Sequence, residues 1–196
     1  MTAQLDLTDV DRELVTQFRE LAILNPVVRG DLKELFSSDA ILVCCSEHLM
    51  EDYDVFGALL PIANMGGGMR LSEQFDPGLD LDPVAVAHCL CQQLWLVMKE
   101  KTETQVVLCV HAPCLTSEVN ERSLIVQIFH MVCGLERFEP SHFLCLVRVC
   151  ETRTQTVTFY QLDIGKWNRW YFEYERSRVA DWEEFLANPD DVENGK

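Results

Sequence analysis

His111 and Cys114 stand three residues apart in HAPC, directly after the apolar run QVVLCV, in a chain of 196 residues with five histidines and nine cysteines. An apolar run without alternation predicts a strand covered on both faces, and in open α/β sheets sites collect beyond the carboxyl ends of such strands. A thiol beside an imidazole at a helix start is what a thiolate nucleophile needs: the imidazole takes the proton and the helix dipole favours the anion. Thr116 or Ser117 is expected to cap that helix, and Gly134 to end it in a left-handed conformation. The plain alternative for Cys114 is a semi-buried packing thiol.

Cys89, His142 and Asp163 form a second constellation. Their chain order is similar to that of papain-like and transglutaminase-like folds, in which a helix supplies the nucleophile, later strands the base, and an acid orients it. That similarity implies a small cysteine hydrolase. His142 is expected to open a strand and Asp163 to close its neighbour, but Cys89 falls about two turns inside a helix starting at Pro83, away from the dipole and access of a helix start. A phosphatase-type loop at Cys114 is excluded, because the arginine it needs six residues on is replaced by Asn120.

His88, Cys89, Cys91, His111 and Cys114 are soft donors, yet no Cys-x-x-Cys or His-x-x-x-His pair builds half a tetrahedron. No metal and no cofactor is expected. The glycines at 66, 67 and 68 follow a predicted helix and lack a Gly-Lys-Ser/Thr ending, so a flexible loop is expected rather than a phosphate cradle. Asp76, Asp80 and Asp82 surround Pro77 without the bidentate glutamate of a calcium loop. Asp82 reads as a helix cap.

Trp167, Trp170, Tyr171, Phe172, Tyr174 and Trp182 fall among Arg169, Arg176 and Arg178. Trp, Tyr and Arg dominate interface hot spots, so Trp167, Trp170, Tyr171, Tyr174 and Trp182 are the candidate binding residues. The competing reading is that such rings close the core.

Other local signals place these residues. Thr8 and Asp11 open a helix with Val10, Leu14, Phe18 and Leu21 on one face, which Pro26 should stop at Asn25. A short helix follows from Asp31, then the strand AILVCC (40–45), then a helix over 46–60 ended by Pro61. Residues 61–81 read as a long Gly-rich loop. Asp82 and Pro83 start a largely buried helix to Lys99. HFLCLVRV and the alternating TVTFYQL predict an antiparallel hairpin, WNRWYFEY a further strand, and Asp181 the cap of a last short helix. The expected fold is α/β (or α+β): one three-layer domain over residues 1–189, with a mixed sheet of about four or five strands flanked by helices and an acidic disordered tail at 190–196.

Composition narrows the partners. The formal charge is -16, and residues 1–82 hold 16 Asp and Glu against 5 Lys and Arg. That opposes phosphate backbones and anionic leaflets, so neither nucleic acid nor membrane is expected as a partner. The first residues show neither a basic start nor an apolar run, and many cysteines sit in apolar runs; an intracellular protein, cytoplasmic or nuclear, with free thiols is expected. The leading expectation is a non-catalytic interaction protein, an adaptor or regulatory subunit. It would bind a protein partner, a basic one where charge decides, or a second copy of itself, through the aromatic segment, the acidic N-terminal half, or both. The alternative is a small cysteine hydrolase using Cys89 or Cys114 with His142 or His111.

Overall fold

The computed structural model describes residues 6–36, 39–45, 56, 60–64, 67–73, 82–100, 104–114, 123–151, 153–154 and 156–187. Six strands form one mixed sheet: β1 (Leu24–Val27), β2 (Ile41–Cys45), β3 (Leu60–Asn64), β4 (Val106–Ala112), β5 (Phe143–Glu151) and β6 (Thr156–Leu162), in the spatial order β1-β6-β5-β4-β2-β3. Only β6 runs against the others. The continuous apolar runs become the central strands, and every residue of β2 and β4 is buried. The expected hairpin is β5–β6, with Leu146 opposite Gln161 and Glu151 opposite Thr156.

The edge strands β1 and β3 differ from expectation. Each contains a proline that reads as a stop: Pro26 lies opposite Tyr160 and Pro61 opposite Leu42. An edge strand has one side without a ladder partner, so the missing N–H costs nothing there and also discourages pairing with another chain. Of the helix expected over 46–60, Phe56 is helical and buried and Leu60 belongs to β3; 46–55 and 57–59 lie outside the described residues. Residues 61–64 of the expected loop continue β3, and Gly67–Leu71 make a buried 3-10 turn. Residues 65, 66 and 74–81 of that loop, with Asp76 and Asp80, and the acidic tail lie outside the described residues.

Four helices are described: α1 (Asp9–Glu20), α2 (Pro83–Glu100), α3 (Leu124–Leu135) and α4 (Ile164–Ala187). Val15 and Phe18 of α1, Leu90 and Leu94 of α2, Ile128 and Met131 of α3 and Trp167 of α4 pack in one cluster with Val43, Leu108, Val110 and Val147 of the sheet. The opposite face, with Leu42, Val107, Leu146 and Phe159, is covered by Leu32, Leu35 and Phe36 around the 3-10 turn Arg29–Glu34, and by Phe56. The sheet is therefore covered on both faces, giving a three-layer α/β domain in which α1–α4 share one side and the 3-10 turn and Phe56 the other.

Several helix ends correct the sequence reading. Thr8 does cap α1, its hydroxyl accepting from Asp11 N–H, but Val10 and Leu21 face solvent. Asp82 caps α2 through Val84 N–H at 3.0 Å, yet α2 is only half buried: Ala87, Leu90, Cys91 and Leu94 face inwards while Trp95 and Leu96 are exposed. The described start of α3 is capped by Ser123 rather than by Thr116 or Ser117. Gly134 is no left-handed stop; it lies inside α3, where a side chain would collide with Leu71. WNRWYFEY is helical, and Asp181 lies within the same helix, α4. The helix wins because Asp163 closes its first turn, accepting from Lys166 N–H at 2.9 Å, and because Trp167, Trp170, Tyr171 and Tyr174 then share one face.

Candidate metal centre

β2 leads outwards to β3 on one side and β4 to β5 on the other, while β2 and β4 are themselves adjacent. The crevice between their carboxyl ends is the topological switch point, where α/β sheets place ligands. Cys45 is the last residue of β2, His111 the penultimate residue of β4, and Cys114 follows two residues beyond the strand. Their donor atoms all lie within 4.8 Å of one another, and all three residues are at least nine-tenths buried. Tetrahedral zinc, with Zn–S about 2.3 Å and Zn–N about 2.0 Å, needs donors about 3.5–3.8 Å apart, so this cluster has at most about 1.3 Å to close.

The imidazole also contacts the loop that follows β4. His111 Nδ1 lies 3.1 Å from the carbonyl oxygen of Pro113. A carbonyl only accepts, so Nδ1 carries the proton and the neutral ring keeps its lone pair on Nε2. Gly67 sets the wall beside Cys45. Its φ is +57°, and a Cβ there would stand 2.5 Å from Cys109 O and 2.8 Å from Cys45 N. The triple glycine thus includes a position where buried backbone crosses the ends of β2 and β4, which corrects the expectation of a flexible loop.

The other candidates scatter. Cys89 is exposed on α2, whereas His142 precedes β5 and Asp163 follows β6 at the opposite end of the β5–β6 hairpin from its turn. The antiparallel pairing brings His142 and Asp163 to one edge, but Asp163 is used as the α4 cap and does not orient an imidazole. His88 pairs with Glu73 at 2.8 Å, and Arg137 binds the same carboxylate and holds its pKa below the usual range. Burial raises the Cys91 and Cys133 thiols and pushes Cys145 to about 12, the opposite of what a nucleophile requires. Cys114 meets His111 as expected, but α3 is first described at Leu124, so no described helix start lies at the thiol.

Among the candidate binding residues, Trp167 is only 1 % exposed and packs in the core, which favours the core-closing reading for that ring. Trp170, Tyr171 and Tyr174 are partly buried and stack along α4. Trp182 lies in α4, but its side chain is outside what the structure describes. Cys45 is the residue that sequence reasoning missed. The signal available was the His-x-x-Cys pair at 111 and 114, which offers two donors from one strand end and calls for a third from an adjacent strand.

No family model matches the chain, and neither does any curated protein or solved structure. What fold and site define is a three-layer α/β domain with a Cys2His cluster at its switch point. Among the described residues no helix is long and apolar enough to cross a membrane.

Proposed function

We propose that this domain is a zinc protein whose Cys45, His111 and Cys114 hold the ion and leave a fourth position for water, serving hydration or hydrolysis of a small substrate. The observation that carries this reading is the convergence of two thiols and one imidazole from two adjacent strand ends. Zinc with three protein ligands lowers the pKa of a bound water to about 7 and polarises carbonyl groups. The chain's own residues supply the donors and fix the imidazole tautomer, and all three are buried. A reducing intracellular compartment, cytoplasmic or nuclear, would keep the thiols available.

The test is metal content by elemental analysis, with cobalt substitution read from the thiolate-to-cobalt absorption. One equivalent is expected in the native protein, with loss in Cys45→Ser, His111→Ala and Cys114→Ser and retention in Cys89→Ser. A folded, reduced protein that keeps no stoichiometric zinc or cobalt would sink the reading.

A second reading, the adaptor or regulatory subunit that docks a protein partner, has its own support. Trp95 and Leu96 on α2 and Phe172 on α4 are exposed large apolar side chains, 59 %, 64 % and 69 % accessible. Rings left in solvent are the residues an interface would cover. Cross-linking with Trp95→Ala and Phe172→Ala as controls separates this reading from the metal one, since neither residue touches the Cys2His cluster.

A further inference from the structure

We propose that the groove between the start of α1, the start of α3 and the middle of α4 receives an arginine side chain of a basic protein partner. This rests on observations independent of the metal centre. The groove encloses about 560 Å³, within the range of sites that bind small groups. Its walls include the rings of Phe129, Tyr171 and Tyr174, and Phe129 and Tyr171 stack at 5.2 Å. Asp6, Asp11 and Glu175 line it with Arg178. Asp6 is paired with Arg12 and Arg153, and Asp11 is buried with both oxygens hydrogen-bonded, so Glu175 is the carboxylate an entering guanidinium would meet.

The chain itself demonstrates the recognition mode. Arg178 places its guanidinium carbon 5.8 Å from the Tyr174 ring centroid while its Nη1 lies 3.2 Å from Glu175 Oε1. Ring face plus carboxylate is how a guanidinium is bound by cation–π attraction and a charge-assisted hydrogen bond. Arg178 is more than half exposed, and an exposed pair three residues apart on a helix is weak and readily displaced. Tyr171 hydrogen-bonds the same carboxylate and remains protonated, its pKa pushed to about 12 first by burial and then by Glu175. Glu175 therefore stays an acceptor beside an aromatic wall. The charge of -16 draws a basic segment in, and the groove gives that attraction an address.

The occupant fits the overall acidity of the chain and the aromatic helix, since Tyr174 supplies the ring face and Glu175 the carboxylate. The experiment uses the full chain and a fluorescein-labelled Gly-Arg-Lys-Arg-Gly peptide, followed by anisotropy, with the same peptide carrying citrulline for arginine as control. Saturable binding is expected, weakened at least about tenfold by Glu175→Gln, by Tyr174→Ala and by citrulline, and strengthened several-fold by Arg178→Ala, which removes the internal competitor. Glu175→Gln removes one charge in a strongly acidic chain, so diffuse attraction would barely respond to it. Overturning results are equal binding of the citrulline peptide, no response to Glu175→Gln, weaker binding in Arg178→Ala, or no saturation in either native protein or Arg178→Ala.

Discussion

Asp11 Oδ1 accepts a hydrogen bond from Leu124 N–H at 2.9 Å, so a carboxylate on α1 satisfies a free donor at the start of α3. The same side chain receives the Thr8 hydroxyl at 2.8 Å on its other oxygen, and it is 2 % exposed. Asp11→Ala should therefore leave the buried Leu124 amide without its acceptor and cost about 1–3 kcal/mol. Asp11→Asn, which keeps one carbonyl acceptor, should cost less. Urea midpoints at unchanged m-value check the order, and equal costs would remove the carboxylate's special role.

Gly67→Ala tests the backbone crossing at the metal centre. The left-handed φ and the predicted collision with Cys109 O both oppose a side chain, so destabilisation of more than about 1 kcal/mol is expected. Because Cys45 N is the second atom in the way, zinc retention should fall with stability. A variant with native melting temperature and full metal content would show that the turn is free to move.

The fold was readable in the sequence wherever the deciding chemistry is local. Thr8 with Asp11, and Asp82 with Pro83, announce helix starts because the cap and its amide are a few residues apart. β2, β4 and β5 announce themselves because burial on both faces admits only apolar residues. The errors share another cause. Pro26 and Pro61 stop a helix or a central strand but not an edge strand, and edge position is a property of the whole sheet. Trp170, Phe172 and Tyr174 fit strand alternation as well as Trp167, Trp170 and Tyr174 fit a helix; the contact of Trp167 with Phe18 at 5.7 Å settles it from the far end of the chain. Cys45 was hidden in the same way: within AILVCC it is a core thiol, and only the pairing of β2 beside β4 makes it a third donor.

His130 predicts an acid-sensitive step in stability. Burial lowers its pKa from 6.5 to about 4, and Nδ1 lies 3.2 Å from Ser72 Oγ. The unfolded chain binds the proton first on acidification, so stability is full above about pH 6.5 and declines as the pH falls through the folded pKa. The loss attributable to this residue should reach about 2 kcal/mol by pH 5 and about 3 kcal/mol below pH 4. His130→Gln keeps a polar group near Ser72 and should flatten the curve between pH 7 and 5. Parallel pH profiles for the two proteins over that window would contradict the assignment.

Trp167 and Phe172 lie on the same helix with opposite fates. Trp167 meets Phe18 edge-on and stacks on Tyr171 at 5.4 Å, whereas Phe172 points to solvent with 69 % of its surface accessible. Trp167→Ala should cost about 3–5 kcal/mol, because a large buried ring leaves a cavity that the sheet beneath it cannot fill. Phe172→Ala should stay within about 0.5 kcal/mol. Trp170, edge-on to Phe18 at 4.7 Å and stacked on Tyr174 at 5.0 Å but partly exposed, should fall between them. Chemical unfolding of the three variants gives the order directly. If Phe172→Ala costs as much as Trp167→Ala, the outer side of α4 is covered within the chain and cannot receive a partner. If Phe172→Ala is neutral for stability yet abolishes cross-linking, the adaptor reading gains the surface it needs, and the buried half of the aromatic segment is its support rather than its contact.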